Sequence, residues 1–217
     1  EHGISSNYVL SVSQDRKGFL WFATESGLNR FDGNKFKVYK KRDEQSSISS
    51  ISGNELNRVY ADKYEDIVWI ATQREGLNMF DYKTETFTHY KYSKTDSLGI
   101  ITNDITNITN AKDSNIWIST YYGGVEYFDK KKKEFIHYNR KTIPEMVSDN
   151  VWAVNEDNKG LLYIGHVASG LSILSLKDKK IKNFKHDPNN AESLPSNDVR
   201  TIFIDKNENV WIGTDNG

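Results

Sequence analysis

An aromatic residue returns at nearly constant intervals along this chain of 217 residues, and this regularity constrains the fold more than any other feature. The phrases "LWFATESGLNRFDG", "VWIATQREGLNMFD" and "IWISTYYGGVEYFD" are variants of one pattern, and "LYIGHVASGLSIL" and "VWIGTDNG" continue it. The anchoring aromatics are spaced 48, 48, 46 and 48 residues apart, at Trp21, Trp69, Trp117, Tyr163 and Trp211. A fixed period of roughly 20 to 50 residues indicates a repeat protein, in which each unit buries its apolar face against a neighbour.

The composition suits stacked β-sheets. Hydrophobic residues make up only 36% of the chain, but 5 Trp, 12 Tyr and 10 Phe offer large packing faces. Basic and acidic residues nearly balance, 29 against 30, so there is no broad positive field and we expect no nucleic-acid partner for this segment. The absence of Cys excludes disulfides and thiolate chemistry, and it leaves the compartment open.

Each repeat divides into four short predicted strands. The first pairs apolar residues three positions apart, as in Leu56 and Val59. This spacing also fits a helix, but the residues are largely β-branched and turn residues follow at once, so we predict a strand with a bulge. The second strand is apolar on both sides and the third follows a Gly. The fourth alternates apolar and polar residues, as a half-exposed outer strand does.

Four antiparallel strands per repeat, with short hairpins inside and a longer loop to the next repeat, describe the blade of a β-propeller. We therefore predict an all-β fold, a β-propeller of four-stranded antiparallel blades. One domain over residues 1–217 would contain about four and a half blades. Its repeats span residues 7–53, 54–102, 103–148, 149–196 and, incomplete, 197–217.

The recurring Trp and Asp residues are interpreted as scaffold. Each Trp lies in a strand with two buried faces, so packing is favoured over a sugar-stacking platform. The Asp residues are interpreted as turn formers, although "DKNEN" from Asp205 is similar to the opening of a calcium loop. We predict no metal site, no cofactor and no catalytic residue in this segment.

Candidate ligand residues lie where the repeats stop agreeing. In a meander, the loop between strands two and three opens on the same face as the long loop between repeats. Arg74 and Glu75 occupy one such loop and Tyr121 and Tyr122 another, and these side chains suit acidic sugars and sugar faces respectively. His166 stands where the other complete repeats have Thr. Packing of the loop tips against the next blade is the alternative explanation for the tyrosines.

The repeat consensus resembles the two-component regulator propeller repeat. Its elements are Asn-x-Val-x-x-Ile-x-x-Asp, Gly-x-Ile-Trp-Ile-Gly-Thr and Gly-Leu-x-x-Phe-Asp, and they are clearest in residues 5–33 and 193–217. The resemblance covers essentially the whole chain. It departs from the consensus at Ala111 in place of Asp, at Tyr163 in place of Trp, and at Leu174-Ser175 in place of Phe-Asp.

The resemblance implies a seven-bladed ring in the periplasmic sensor region of an inner-membrane hybrid two-component regulator, with the histidine kinase outside this segment. It implies that the segment is not an enzyme and contributes to the recognition of glycan fragments during polysaccharide utilisation. The implied partners are an oligosaccharide ligand, the remaining propeller blades, the downstream sensor domains and a second copy in a homodimer.

Two other functions stay open. Propellers similar to streptogramin lyase carry out catalysis with His and acidic residues on one face, and His166 is the residue that supports this hypothesis. A protein-interaction propeller is the second. We also expect an incomplete ring to leave sheet faces uncovered, which favours self-association of the segment.

Overall fold

The computed structural model describes residues 3–43 and 45–217, and all regular secondary structure in them is β. The strands of this part of the chain are β1 (Val9–Gln14), β2 (Leu20–Thr24), β3 (Gly27–Phe31), β4 (Phe36–Tyr39), β5 (Leu56–Ala61), β6 (Ile67–Thr72), β7 (Leu77–Asp81), β8 (Thr86–Tyr90), β9 (Ile105–Asn110), β10 (Ile116–Thr120), β11 (Gly124–Asp129), β12 (Glu134–Tyr138), β13 (Val151–Glu156), β14 (Leu161–His166), β15 (Leu171–Ser175), β16 (Ile181–Phe184), β17 (Val199–Ile204) and β18 (Val210–Thr214). Within the described ranges, no helix is long and apolar enough to cross a membrane.

The strands form antiparallel sheets, and within each sheet the strands that pair are consecutive in the chain. Four sheets have four strands each, β1 to β4, β5 to β8, β9 to β12 and β13 to β16, and β17 pairs with β18. This meander is the architecture of a propeller blade, so the predicted all-β fold of four-stranded blades is confirmed. The chain divides into an N-terminal unit, residues 1–108, and a C-terminal unit, residues 109–217, and each is described by itself. One domain over residues 1–217, with its repeat boundaries, stays a prediction.

A β-bulge near the start of the first strand accounts for its unusual apolar spacing. In β13, Val151 pairs with His166 and Ala153 with Gly165, so Trp152 is an extra residue. The pairing of β17 with β18 shifts in the same way, and Arg200 is the extra residue there. The predicted bulge is confirmed, and it turns a side chain away from the regular alternation of the strand.

Glycines recur before the third strands because the backbone there passes close to the end of the fourth strand. Gly76 and Gly170 have φ angles of +80° and +88°. A Cβ atom on Gly76 would collide with the carbonyl oxygen of Tyr90, and one on Gly170 with that of Phe184. Both the backbone conformation and the close approach therefore require glycine.

The Asn or Asp before each first strand fixes the loop that leads into it. Asn54 Oδ1 accepts a hydrogen bond from the backbone nitrogen of Lys41 at 2.7 Å, and Asn197 Oδ1 accepts one from His186 at 2.8 Å. A side-chain acceptor thus satisfies a backbone donor that has no partner in a sheet.

The recurring tryptophans are scaffold, as predicted. Trp21 is fully buried, and its ring packs against Phe80 and Tyr82 of the neighbouring sheet with centroids 5.5 and 5.9 Å away. The Trp21 Nε1 group donates to Asp15 Oδ2 at 2.6 Å, while Asp15 Oδ1 accepts from the backbone of the turn, including Lys17 N at 2.9 Å. Asp15 therefore shapes a turn and also orients the indole ring of the following strand.

The same arrangement occurs at Asp205, whose sequence is similar to a calcium loop. Asp205 Oδ2 accepts from Trp211 Nε1 at 3.1 Å and from Asn209 Nδ2 at 3.0 Å, and Oδ1 accepts from the backbone of Asn207 and Asn209. These hydrogen bonds lower the pKa of Asp205 to about 2, with the bond from Asn209 contributing most. The interpretation of this Asp as a turn former is supported.

A neighbouring strand compensates for the missing Asp of the third repeat. Ala111 stands at that position, and Trp117 Nε1 donates instead to Glu156 Oε2 of β13 at 2.7 Å. The same carboxylate oxygen accepts from the backbone nitrogen of Lys112 at 3.1 Å. Glu156 lies in the next sheet, so this contact joins two sheets of the C-terminal unit.

Each unit has its own apolar core between its sheets. In the N-terminal unit, Leu28, Leu56 and Phe80 surround Trp21. In the C-terminal unit, Trp117 packs in a cluster that contains Val151 and Leu162. The fourth strands are only partly covered, in agreement with the predicted half-exposed outer position.

Candidate functional site

The loops between second and third strands lie beside the segments that lead into the next sheet. Gly124 N donates to the carbonyl oxygen of Asp149 at 2.8 Å, and Gly170 N donates to that of Asn197 at 2.7 Å. The backbone nitrogen of Tyr122 donates to Asn150 Oδ1 at 3.0 Å. These bonds place both kinds of loop at the same end of the strands, as the meander predicts. The surface that these loops form in each unit is called the loop face below.

In the N-terminal unit, Arg74 and Glu75 line a cavity of about 330 Å³ on the loop face. Glu75 Oε2 lies 2.7 Å from Lys91 Nζ, and the hydrogen bond from Lys91 lowers the pKa of Glu75. The Arg74 side chain is exposed. A second cavity of about 530 Å³ is lined in part by Tyr8 and Leu10, which are 59% and 44% exposed.

In the C-terminal unit, Tyr121 and Tyr122 belong to a continuous row of side chains that pack against one another. Their rings meet edge to face with centroids 4.5 Å apart, and Tyr121 also packs on Trp152 with centroids 5.8 Å apart. The guanidinium carbon of Arg200 lies 4.7 Å from the Trp152 ring centroid. Tyr121, Tyr122, Trp152 and Arg200 are called the aromatic row, and they come from three consecutive sheets.

Two carboxylates hold the guanidinium group at one end of the aromatic row. Arg200 Nε and Nη2 donate to the two carboxylate oxygens of Asp215 at 2.7 and 3.1 Å, and Nη2 also donates to Asp198 Oδ2 at 3.0 Å. The hydrogen bond with Asp215 raises the pKa of Arg200, and the same bond lowers the pKa of Asp215. Burial raises the pKa of Asp198 despite the nearby guanidinium.

Tyr122 is held in a conformation that is uncommon for an aromatic residue. Its φ angle is +72°, in the left-handed region, and its side chain is 70% exposed. A residue with a Cβ atom costs roughly 1 to 2 kcal/mol in this region. The equivalent loop of the next repeat also holds a non-glycine residue with positive φ, Ala168 at +50°, so the turn recurs and the exposed ring is what distinguishes Tyr122.

Trp152 and Arg200 are not among the predicted ligand residues because both lie in strands, whereas the predicted residues lie in or beside loops. Both are the extra residues of bulges in first strands, and the bulge aims them at the loop face. The sequence does show that this position differs between repeats, since the equivalent residues Leu10, Asn57 and Thr106 share no chemistry with Trp152 or Arg200. This strand position therefore varies among the repeats in the same way as the loops beside it.

His166 is not available to a ligand in this structure. The residue is fully buried, and its Nε2 atom lies 2.8 Å from Ser172 Oγ, which in turn donates to Asn183 Oδ1. Burial lowers the pKa of His166 to about 4. The expectation that His166 faces the ligand is therefore corrected: the imidazole replaces the buried Thr of the other repeats as an internal polar contact.

The five predicted residues are thus distributed over the two units. Arg74 and Glu75 belong to the N-terminal unit, and Tyr121, Tyr122 and His166 belong to the C-terminal unit, where only the tyrosines reach the loop face. In residues 3–43 and 45–217, no group of three or more His, Asp or Glu side chains is arranged to hold a metal ion.

Comparison with known proteins finds the same blade architecture in an extracellular domain of a two-component system. The chain is similar over its whole length to the crystal structure of the extracellular domain of BT3049 from B. thetaiotaomicron, a protein assigned as a hybrid two component system. The two are 50% identical with a TM-score of 0.92, and the chain spans 28% of that structure.

The repeat itself matches the family model described as the two component regulator propeller, at residues 3–26 and 193–216. A stretch of 48 residues is 44% identical to Histidine kinase P4 of Formosa agariphila, covering 22% of this chain and 4% of that protein. The chain therefore carries two-component regulator propeller repeats, the family that its sequence resembles.

The fold also occurs in an enzyme. Virginiamycin B lyase from Staphylococcus aureus is 12% identical with a TM-score of 0.69, over 97% of this chain and 64% of the lyase chain. At this identity the likeness concerns the fold alone.

Proposed function

We propose that this chain is part of the periplasmic sensor region of a hybrid two-component regulator and that it binds an oligosaccharide on the aromatic row. The observation that carries the proposal is the exposed Tyr122 ring, which packs edge to face on Tyr121, which in turn packs on Trp152, in a chain half identical to the extracellular domain of a hybrid two component system. Aromatic rings that are held by packing against one another present flat apolar faces with little entropy to lose on binding, as sugar rings require.

The row also has the extent that an oligosaccharide needs. Its members come from three consecutive sheets, and backbone bonds anchor the loops at both of its ends. Tyr122 N bonds Asn150 Oδ1, and Asp215 N bonds the carbonyl oxygen of Asp198. A surface fixed in this way is preorganised for a ligand larger than one sugar ring.

Signalling to a histidine kinase outside this segment, further propeller blades, downstream sensor domains and homodimer formation belong to the same proposal. Their support is the similarity to the BT3049 extracellular domain and to Histidine kinase P4. In this scheme the segment itself is not catalytic, and ligand binding changes the equilibrium between two states of the receptor.

The lyase hypothesis loses the residue that supported it. His166 is buried and bonded to Ser172, so it does not offer a general base to a substrate on the loop face. A protein-interaction propeller remains a second candidate, because exposed aromatic residues such as Tyr122 also occur in protein interfaces.

The test is a thermal-shift titration of the complete extracytoplasmic region with a panel of plant and host oligosaccharides, followed by product analysis of the same samples. A ligand that binds only the native state raises the melting temperature in a saturable manner. We expect one glycan to do so and to be recovered unchanged. Cleaved products would contradict a sensor without catalysis.

The matched variants are Tyr122→Gly and Tyr64→Ala. Glycine adopts a φ of +72° without strain, so Tyr122→Gly removes the ring while the fold is retained. Tyr64 is 46% exposed in the turn between β5 and β6, away from the loop face. We expect the glycan-induced shift to disappear in Tyr122→Gly and to persist in Tyr64→Ala. Equal shifts in both variants would refute the assignment of the site.

A further inference from the structure

We infer that the oligosaccharide bound by the aromatic row is uncharged, and that Arg200 with its two aspartates contacts sugar hydroxyl groups rather than acid groups. The inference rests on the proposed function and specifies its ligand class. It differs from the simple expectation for an exposed arginine, which is that it binds a uronate or a sulfate.

The guanidinium fork of Arg200 is already occupied by carboxylates of the protein. Arginine recognises a carboxylate or sulfate through two parallel N–H groups. In Arg200 the Nε and Nη2 groups make this bidentate contact with Asp215, and Nη2 is shared with Asp198. An acidic sugar would have to displace an internal carboxylate to gain the same geometry.

The charged groups around Arg200 carry more negative than positive charge. One guanidinium group faces two carboxylates, so the group formed by Arg200, Asp198 and Asp215 has an excess of negative charge. The side chains are 44%, 18% and 46% exposed, and the pair with Asp198 is thus partly shielded from water. An anionic ligand placed here would be repelled at short range, whereas a neutral one would not.

The hydrogen-bonding capacity that Arg200 and Asp215 keep suits sugar hydroxyl groups. Arg200 Nη1 keeps donors beyond the bonds to the aspartates, and the Asp215 oxygens keep lone pairs. Sugar hydroxyls both donate and accept, so neighbouring hydroxyls match this pair of groups. Stacking on Trp152 holds the guanidinium in place before the ligand arrives.

The test uses isothermal titration calorimetry on the complete extracytoplasmic region with two sets of probes. The neutral set is maltohexaose, cellohexaose, xylohexaose and mannohexaose, and the acidic set is hexagalacturonate and a chondroitin sulfate hexasaccharide. We expect saturable binding from the neutral set and none from the acidic set. Tyr122→Gly should abolish the binding of the neutral ligand.

The decisive variant is Asp215→Asn, which keeps the shape of the side chain and frees the fork of Arg200. We expect its affinity for the neutral ligand to fall at least tenfold and binding of an acidic hexasaccharide to appear. Asp178→Asn is the control, because Asp178 forms an exposed ion pair with Lys180 in a turn on the opposite side of the same unit, with its nitrogen and oxygen 3.4 Å apart. This control should bind as the unmodified protein does.

The outcomes separate the inference from the proposed function. Wild-type binding of an acidic hexasaccharide that Tyr122→Gly abolishes would overturn the uncharged ligand and leave the glycan sensor standing. Unchanged neutral binding in Asp215→Asn would overturn the role of Arg200 and its aspartates. Failure of every probe to bind would count against both.

Discussion

The buried imidazole of His166 should make this protein lose stability in mild acid. Burial lowers the pKa of His166 from 6.5 to about 4 in the folded state, whereas in the unfolded chain the group titrates near its ordinary pKa. Between these two values the unfolded chain binds a proton that the folded protein does not. Stability contributed by the neutral imidazole is therefore complete above pH 6.5 and is lost as the pH falls towards 4.

The difference between the two pKa values corresponds to about 3 kcal/mol when the loss is complete. Most of this free energy should be lost by pH 4.5. Urea unfolding followed by tryptophan fluorescence at pH 7.5 and pH 4.5 measures the change directly. Because other groups also titrate in this range, the informative quantity is the difference between the protein and a variant without the imidazole.

His166→Thr is that variant, because threonine occupies the equivalent position in the other repeats. There its hydroxyl donates to a nearby carbonyl oxygen, as Thr120 Oγ1 does to Gly124 O at 3.0 Å. Between the two pH values, His166→Thr should lose about 2 to 3 kcal/mol less than the unmodified protein. The same pH dependence in both proteins, or an imidazole pKa near 6.5 by NMR, would refute this reasoning.

Two further predictions concern the tryptophan scaffold. Trp21→Ala should lower the free energy of unfolding by about 3 to 5 kcal/mol because the ring is fully buried. Tyr64→Ala, at a ring that is 46% exposed in the turn between β5 and β6, should cost under about 1 kcal/mol; similar losses in urea titrations of the two variants would contradict the burial argument. Glu156→Ala should cost about 1 to 3 kcal/mol because it leaves a buried indole N–H without its acceptor. Adding Ala111→Asp, which restores the Asp of the other repeats, should recover part of that loss in a double-mutant cycle, and no recovery would show that the two carboxylates are not equivalent.

Much of the fold could be predicted from the sequence because repetition displays the constraints several times. The bulge in the first strand followed from paired apolar residues three apart, and it is present where Trp152 and Arg200 interrupt the pairing. Gly76 and Gly170 predicted where a third strand begins, since no other residue tolerates their conformation and contacts.

The candidate site was less accessible from the sequence. Tyr121 and Tyr122 stood out because they interrupt a repeated loop, but Trp152 and Arg200 lie 30 residues or more further along and join them only when three sheets stack. His166 also departs from the residue type of the other repeats, but it is buried, so such a departure does not by itself indicate a ligand-contacting residue. A departure from the repeat indicates a different local contact, which is internal for His166 and exposed for Tyr122.

The sequence by itself determined the strands, their meander and the scaffold role of the tryptophans, because these depend on local conformation and on burial that every repeat must achieve in the same way. Tertiary structure decided which of the differing residues share a surface. It also decided which charges remain free, since Asp198 and Asp215 neutralise the guanidinium of Arg200 only after two strands and a loop have come together. The aromatic row joins side chains of three repeats, whose separation no single repeat encodes, and Arg200 meets Asp215 only once the hairpin of β17 and β18 has formed. For these two reasons the proposed ligand surface and its charge could be inferred only from the folded chain.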